Sequence, residues 1–309
     1  MCDHAAVTEP TAPAGLHGVR GLLIDLDGVL VVRGRLVPGA REGLARLDAA
    51  GFPYIVATNS SLVSRSTLSA QLADGGITVP PDLILTAASA SAAYCARRFP
   101  GQPLYVMGTP DALSEFEGQR LISYEEAAEP GTQVAAVVVG DAAVDFTARN
   151  VQSGFRLIRE GARLVAMHKN RWWFSSSGVM LDSGAYVAAL EFGTQRRALL
   201  IGKPARGFFL EGVRRLREIA ADRGRAADSG EALQPGEAPV APGDVAMVGD
   251  DLLGDIRGAQ QAGLRGVFVR SGKHGGADLT RLAAEGRRRL PDGDLPSIVE
   301  VVEACLERS

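Results

Sequence analysis

Short runs of apolar residues alternate with longer amphipathic stretches along most of this 309-residue chain. This rhythm restricts the possible folds more than any other feature of the sequence. The first two apolar runs, 21–24 and 54–57, are apolar at consecutive positions, which is typical of strands buried on both faces. A helical pattern ending at a glycine occupies 39–50 between them. Repetition of strand, helix and strand at this spacing predicts an α/β fold with a parallel sheet covered by helices.

The same rhythm continues through 87–199, and the first pattern resumes after it. A chain of this length suggests two domains, at about 150 residues per domain. We therefore predict a Rossmann-like parallel-sheet core formed by 19–86 and 200–309, with 87–199 inserted as an α/β cap domain. Residues 1–18 are predicted to form a flexible tail. Residues 221–243, rich in proline and glycine, are predicted to be a disordered surface insertion.

Charge and composition exclude several classes of protein. Lys and Arg number 33 and Asp and Glu 36, so the chain lacks the basic excess of a nucleic-acid-binding protein. The apolar runs are of strand length, and the N-terminal stretch does not have the pattern of a secretory signal. Cys2, Cys95 and Cys305 match no metal-binding spacing and fit a reducing compartment. We expect a cytoplasmic protein that binds neither nucleic acid nor membranes.

Two carboxylates directly follow the first predicted strand. Asp25 and Asp27 are separated by one residue, and Gly28 after them permits a sharp turn. In open α/β sheets, ligands bind beyond the carboxyl ends of the strands. A pair of this kind is explained equally well, when taken alone, by a solvent-exposed turn.

Polar residues also follow three other predicted strands. These residues are Thr58 and Asn59, Lys203, and Asp250 and Asp251 with Asp255 further on. Because the carboxyl ends of parallel strands share one edge of a sheet, we expect these side chains to converge. A dense group of carboxylates requires a cation, and a set of oxygen donors alone favours Mg²⁺ over zinc.

The order of these motifs resembles that of the haloacid dehalogenase-like hydrolase superfamily. The motifs are Asp25-Leu26-Asp27-Gly28-Val29, Thr58-Asn59, Gly202-Lys203-Pro204 and Gly249-Asp250-Asp251 followed by Asp255. A cap inserted between the second and third motifs resembles the C2-capped, nitrophenylphosphatase-like subclass. The stretches 178–185 and 269–273 are similar to the phospholysine phosphohistidine inorganic pyrophosphate phosphatase branch.

The resemblance implies a Mg²⁺-dependent phosphatase that acts through an aspartyl phosphate. Its substrate would be a small phosphorylated metabolite, a phosphoramidate or a pyrophosphate. Asp25 would be the nucleophile, and Asp27 the general acid and then the general base. Asp25, the backbone carbonyl of Asp27 and Asp250 would bind the metal. Asp251 and Asp255 would support the metal and its water molecules.

Phosphate binding is assigned by the same resemblance to Thr58, the Asn59 N–H and Lys203. Loop N–H groups at Leu26, Asp27 and Gly28 would complete an anion nest.

The cap supplies further candidates. His168 and Ser183 are candidate substrate contacts, although Ser183 lies in a turn that also has helix-capping chemistry. The apolar run 172–174 fits packing within a strand or at the interface of a cap-mediated homodimer. Two other functions stay open at this point. One is a phosphotransferase of the same fold, and the other is a catalytically weak phosphate-sensing or regulatory protein.

Overall fold

The computed structural model describes residues 16–175, 178–227, 240–284 and 290–307. Its strands are β1 (Gly21–Ile24), β2 (Val31–Val32), β3 (Arg35–Leu36), β4 (Tyr54–Thr58), β5 (Ile84–Thr86), β6 (Leu104–Met107), β7 (Ala136–Val139), β8 (Arg163–Ala166), β9 (Trp172–Ser175), β10 (Gly178–Leu181), β11 (Leu199–Leu200), β12 (Val245–Gly249), β13 (Arg265–Val269) and β14 (Gly293–Leu295). Its helices are α1 (Ala40–Ala49), α2 (Arg65–Asp74), α3 (Ala87–Arg98), α4 (Pro110–Leu113), α5 (Tyr124–Ala128), α6 (Ala148–Arg159), α7 (Ser183–Thr194), α8 (Arg206–Ala227), α9 (Gly258–Ala262), α10 (Gly276–Ala284) and α11 (Ile298–Leu306). A π-helical turn spans Leu252–Arg257.

The chain divides into two compact units. Unit one comprises Met1–Val32, Leu36–Tyr54 and Leu216–Ser309, and unit two comprises Arg33–Arg35 and Ile55–Arg215. The predicted inserted segment thus lies wholly within unit two. Unit two also includes β4 except for Tyr54, β5 and the start of α8, which the sequence assigned to the core.

Unit one is built on four neighbouring parallel strands in the order β14-β13-β12-β1. Strand β1 pairs with β12 in register, from Gly21 opposite Val245 to Ile24 opposite Val248. Every residue of both strands is buried, as expected for apolar strands covered on two faces. This register places the residues that follow β1 and β12 at the same edge of the sheet.

Unit two contains the parallel pair β4 and β5 and a separate four-stranded parallel sheet in the order β11-β8-β7-β6. Alternate side chains of its strands enter different cores. Tyr105 and Val137 belong to one hydrophobic cluster, whereas Val106 and Val138 belong to another. Both faces of this sheet are therefore covered, and the predicted α/β class with parallel sheets is confirmed.

Two predictions about irregular segments need correction. Residues 1–15 and 228–239 lie outside the described part of the chain, whereas parts of both predicted segments lie within it. Leu16 is buried, so the predicted tail does not reach Gly18. Helix α8 continues to Ala227, and Val240 is buried and accepts a hydrogen bond of 2.6 Å from Arg217. Residues 221–227 and 240–243 of the predicted insertion thus belong to the described fold.

Strands β9 and β10 form an antiparallel pair with exposed apolar side chains. The exposed side chains include Trp172, Trp173, Val179, Met180 and Leu181. They are compatible with the predicted cap-mediated homodimer, which stays a prediction. Among the described residues, no helix combines the length and the apolar character needed to cross a bilayer.

Candidate active site

Three buried carboxylates come together in unit one. Asp25, Asp250 and Asp255 each offer one oxygen atom, and these atoms all lie within 4.8 Å of one another. Asp25 follows β1, Asp250 follows β12, and Asp255 lies in the π-helical turn. We refer to these three residues as the carboxylate cluster. The sequence predicted the convergence of Asp25 with Asp250 but placed Asp255 in a supporting position.

Asp25 is oriented by the backbone on both sides. Its N–H donates to the Val248 carbonyl oxygen at 2.9 Å, which extends the pairing of β1 with β12 by one residue. Its Oδ1 accepts the Leu26 N–H at 2.8 Å. The Leu26 carbonyl then accepts the N–H groups of Leu30 and Val31, so the chain turns sharply after the carboxylates.

Two glycines make room for Asp250. Gly28 has a φ of 88°, and a Cβ atom at Gly28 or at Gly272 would overlap the Asp250 carboxylate. The Ser271 hydroxyl donates to the Gly28 carbonyl at 2.6 Å and ties the two glycine loops together. The Lys273 N–H donates to Oδ2 of Asp250. Asp250 is thus enclosed by backbone that only glycine permits to approach so closely.

The predicted anion nest is partly occupied by bonds within its own loop. The Gly28 N–H donates to the Val31 carbonyl at 2.7 Å, and the Leu26 N–H donates to Asp25. These two donors are therefore already satisfied. The observed contribution of Gly28 is the turn and the space beside Asp250. Asp27 is exposed within the same turn.

Asp251 and Asp255 have different environments, although the sequence grouped them. Oδ1 of Asp251 accepts the N–H groups of Leu253 and Gly254, each at 2.9 Å, and therefore caps the π-helical turn. Its Oδ2 accepts from Lys273 Nζ at 2.8 Å. Burial alone raises the pKa of Asp251, but these backbone and lysine hydrogen bonds lower it to about 2. Asp255 accepts the Asp251 N–H at 3.1 Å and belongs to the carboxylate cluster.

The donor set of the carboxylate cluster fits a hard divalent cation. Buried like charges at this separation repel one another unless a cation or a proton offsets them. The described group contains only carboxylate oxygens, which suit Mg²⁺ better than zinc. The Asp250 carboxylate lies where a Cβ atom of residue 28 or 272 would be, so Gly28 and Gly272 permit its place in the cluster.

Three predicted phosphate ligands lie in unit two. The Asn59 side chain bonds to both backbone groups of Lys203: its Oδ1 accepts the Lys203 N–H at 2.8 Å, and its Nδ2 donates to the Lys203 carbonyl at 3.0 Å. Thr58 is buried, and its Oγ1 accepts the Ser60 N–H at 3.1 Å. Asn59 and Lys203, which are 144 residues apart, are therefore joined directly.

His168 and Ser183 lie inside unit two rather than on its surface. His168 is 3% exposed and Ser183 is fully buried. Nε2 of His168 lies 2.8 Å from the Ser61 hydroxyl and 3.2 Å from the Ser183 hydroxyl. Asp182, also buried, lies 3.7 Å from the same nitrogen. We refer to Ser61, His168, Asp182 and Ser183 as the His168 cluster. The role of His168 and Ser183 as substrate contacts stays a prediction.

Acid is expected to destabilise the protein through His168. Burial lowers its pKa from 6.5 to about 4, against the weaker opposing effect of Asp141. Between these values the unfolded chain binds a proton that the folded chain does not, so the free energy of unfolding decreases as the pH falls. The loss amounts to about 3 kcal/mol over the whole interval. Urea unfolding of the wild type and of His168→Gln at pH 7.5 and pH 4.5 measures it.

The comparison with His168→Gln isolates this contribution. Burial raises the pKa of the neighbouring Asp182, which therefore acts in the opposite direction as the pH falls. That carboxyl is present in both proteins, so its effect largely cancels in the difference. We expect the wild type to lose more stability than His168→Gln. Equal losses in the two proteins would contradict the assignment.

Two family models match the chain. The model described as haloacid dehalogenase-like hydrolase matches residues 22–121, and a HAD-hydrolase-like model matches residues 200–293. Haloacid dehalogenase-like hydrolase domain-containing protein 2 from Mus musculus is 31% identical over 269 residues, which cover 87% of this chain and 91% of that protein. The chain belongs to the haloacid dehalogenase-like hydrolase family.

Two further similarities extend over nearly the whole of this hydrolase. Phospholysine phosphohistidine inorganic pyrophosphate phosphatase from Homo sapiens is 29% identical over 306 residues, covering 96% of this chain and 99% of that protein. The structure of p-nitrophenyl phosphatase from Archaeoglobus fulgidus has a TM-score of 0.76 at 24% identity, covering 93% of this chain and 99% of that chain. The similarity to the Archaeoglobus fulgidus structure shows a common fold.

The two matched segments of this haloacid dehalogenase-like hydrolase include all the core motifs. Asp25 and Thr58 lie in the first segment, and Lys203, Asp250 and Asp255 lie in the second. Sequence reasoning missed Ser61 and assigned no role to Gly272. Gly272 lay in a stretch noted only for its family resemblance, and Ser61 had no signal beyond its position after Thr58-Asn59.

Proposed function

We propose that this hydrolase is a Mg²⁺-dependent phosphatase that acts through an aspartyl phosphate on Asp25. The buried carboxylate cluster supports this most strongly, because it follows two adjacent parallel strands at the edge where α/β sheets bind ligands. The human relative and the Archaeoglobus fulgidus structure reported above are both phosphatases by name, which supports a phosphorylated substrate. We propose a small phosphate ester, a phosphoramidate or a pyrophosphate.

Asp25 and Asp250 would hold the metal through their carboxylates, with Asp255 beside them. The backbone carbonyl of Asp27 is the further ligand that the family resemblance implies. When bound, Mg²⁺ would supply positive charge that attracts phosphoryl oxygens and offsets the buried carboxylates.

The reaction proposed for the chain has two steps. In the first, a carboxylate oxygen of Asp25 bonds to phosphorus as the bond to the leaving group breaks, and Asp27 gives its proton to the leaving atom. In the second, Asp27 takes a proton from a water molecule that attacks the same phosphorus. The bond between phosphorus and Asp25 then breaks, releasing inorganic phosphate. The exposed side chain of Asp27 and the buried, oriented side chain of Asp25 suit these different roles.

Thr58, the Asn59 N–H and Lys203 are proposed to bind the phosphoryl oxygens. The double hydrogen bond between the Asn59 side chain and the Lys203 backbone supports the idea that these two residues act together. A lysine that is 5% exposed has little conformational freedom and would offer a fixed charge.

Metal removal tests the proposal. We expect chelation of divalent cations to lower the hydrolysis of p-nitrophenyl phosphate by about 100-fold or more, because the carboxylate cluster would then repel the phosphate dianion. Addition of Mg²⁺ should restore the rate. Release of p-nitrophenol and of inorganic phosphate measures the reaction, and chelator already saturated with Mg²⁺ is the control. A rate that is unchanged in chelator would contradict the proposal.

The same assay separates the two alternatives noted from the sequence. A phosphotransferase would yield less inorganic phosphate than p-nitrophenol when a small alcohol is added, whereas a phosphatase would yield equal amounts. A phosphate-sensing protein would give no turnover with any member of a panel of phosphorylated metabolites that includes phosphohistidine.

A further inference from the structure

The His168 cluster joins three segments of unit two that are far apart in the sequence. Ser61 lies in the loop after β4, His168 follows β8, and Asp182 and Ser183 begin α7. All four side chains are at most 5% exposed. A fully buried imidazole with several polar partners is costly unless its hydrogen bonds are satisfied, so each of these partners is informative.

The hydrogen bonds of His168 assign its tautomer. Its Nδ1 accepts the Asn170 N–H at 3.3 Å, and a neutral imidazole has one accepting and one donating nitrogen. Nε2 therefore carries the proton and donates to the Ser61 hydroxyl oxygen at 2.8 Å. The same oxygen accepts the Asp141 N–H at 2.9 Å. Ser61 is thus fixed by donors from the loop after β7 and from the loop after β8.

Ser61 is close in the chain to the proposed phosphate ligands. It follows Asn59 by two residues and Thr58 by three. At the other end of this short segment, Asn59 is bonded to Lys203. The segment 58–61 is therefore held at Asn59 by Lys203 and at Ser61 by His168 and the Asp141 backbone.

We propose that His168 is a positioning residue for the phosphate-binding segment 58–61, acting through Ser61. This inference rests on the proposed function, since it assumes that Thr58 and Asn59 bind the phosphoryl group. In this proposal His168 acts through its hydrogen bond to Ser61 and does not itself touch the substrate. Loss of the bond from His168 leaves Ser61 with one fewer donor, and small displacements of groups that stabilise a transition state reduce the rate strongly.

Four variants test the proposal in the full-length protein with Mg²⁺ and p-nitrophenyl phosphate. His168→Leu removes the donor, and Ser61→Ala removes the acceptor. We expect each to lower kcat by about 10-fold or more, with a smaller change in KM. The double variant should be no slower than the slower single variant, because the two single substitutions remove the same hydrogen bond between His168 and Ser61. His168→Gln, whose amide can donate from a similar position, should retain more of the wild-type kcat than His168→Leu.

Ser153→Ala is the matched control. Its hydroxyl is 5% exposed and donates at 3.3 Å to the Arg149 carbonyl of its own helix α6. We expect kcat to stay at the wild-type value. Thermal unfolding of every variant is measured alongside, so that all rates are compared at a temperature where each is folded.

Other outcomes contradict the proposal and can be told apart. Unchanged kcat in folded His168→Leu and Ser61→Ala would leave His168 with a structural role alone. A rise in KM in His168→Leu with no effect of Ser61→Ala would make His168 a substrate contact. In both cases the wild type would remain an active phosphatase. An inactive wild type would instead overturn the proposed function.

Discussion

Replacing Asp25 by Asn is expected to lower the kcat for phosphate ester hydrolysis by at least about 10³-fold, which corresponds to roughly 4 kcal/mol in the activation free energy. The amide has no anionic oxygen to form the bond to phosphorus. Its shape is nearly that of the carboxylate, and its oxygen can still accept the Leu26 N–H that Asp25 accepts at 2.8 Å. The fold should therefore persist. Steady-state kinetics with p-nitrophenyl phosphate and Mg²⁺ measure the loss.

The stability of Asp25→Asn provides an independent check. In metal-free protein, removal of one charge from the carboxylate cluster relieves repulsion among buried like charges. We expect the free energy of unfolding to be no lower than that of the wild type. Asp82→Asn is the control, because the Asp82 side chain is 99% exposed and pairs with Arg65 only at 3.9 Å. Full activity in Asp25→Asn would exclude Asp25 as the nucleophile.

Gly28→Ala is expected to raise the Mg²⁺ concentration needed for half-maximal activity by about 100-fold. The new methyl group would overlap the Asp250 carboxylate and displace a predicted metal ligand. The substitution also strains the backbone, since the φ of Gly28 is 88° and side chains disfavour this region by about 1–2 kcal/mol. Titration of activity with Mg²⁺, together with urea unfolding, measures the two effects separately.

Gly34→Ala is a closely matched control for this experiment. Gly34 has a φ of 73°, and a Cβ there would meet no atom within 4 Å. It should therefore show the backbone strain without the collision and keep the wild-type response to Mg²⁺. Gly272→Ala should resemble Gly28→Ala, because its Cβ would also overlap Asp250. Equal Mg²⁺ requirements in Gly28→Ala and Gly34→Ala would show that the close approach of Gly28 to Asp250 does not contribute to Mg²⁺ binding.

The strands that precede Asp25 and Asp250 could be predicted because their sequences are apolar at every position. Such runs form strands that are covered on both faces, and parallel strands end at a common edge. Pairing of β1 with β12 and the meeting of the two aspartates follow from that rule. The fold class and the central part of the site are thus properties of local patterns.

The position of Asp255 depends on a helical turn that local patterns do not specify. The turn after Asp251 is a π-helix and not an α-helix, since the Ile256 N–H donates to the Asp251 carbonyl at 3.2 Å. This wider turn changes which residue faces the cluster. Asp255 consequently joins Asp25 and Asp250, while Asp251 caps the turn.

The burial of His168 also could not be predicted from the sequence. Its neighbours Lys169, Asn170 and Arg171 are polar, which favours a solvent-exposed turn. Burial arises instead from Ser61, which is 107 residues earlier in the chain, and from the start of α7. Contacts of such long separation are set by the packing of whole elements and leave no periodic signal in one sequence.

The two hydrogen bonds between Asn59 and Lys203 join residues that are 144 positions apart and so close a long loop of the chain. The entropy lost in closing such a long loop grows slowly with its length, by only about 0.6 kcal/mol for each doubling. Insertions or deletions that leave the contacts of segment 58–61 intact would therefore change the closure entropy of this junction very little. The junction at Asn59 and Lys203 can thus tolerate wide variation in the size of the segment it encloses.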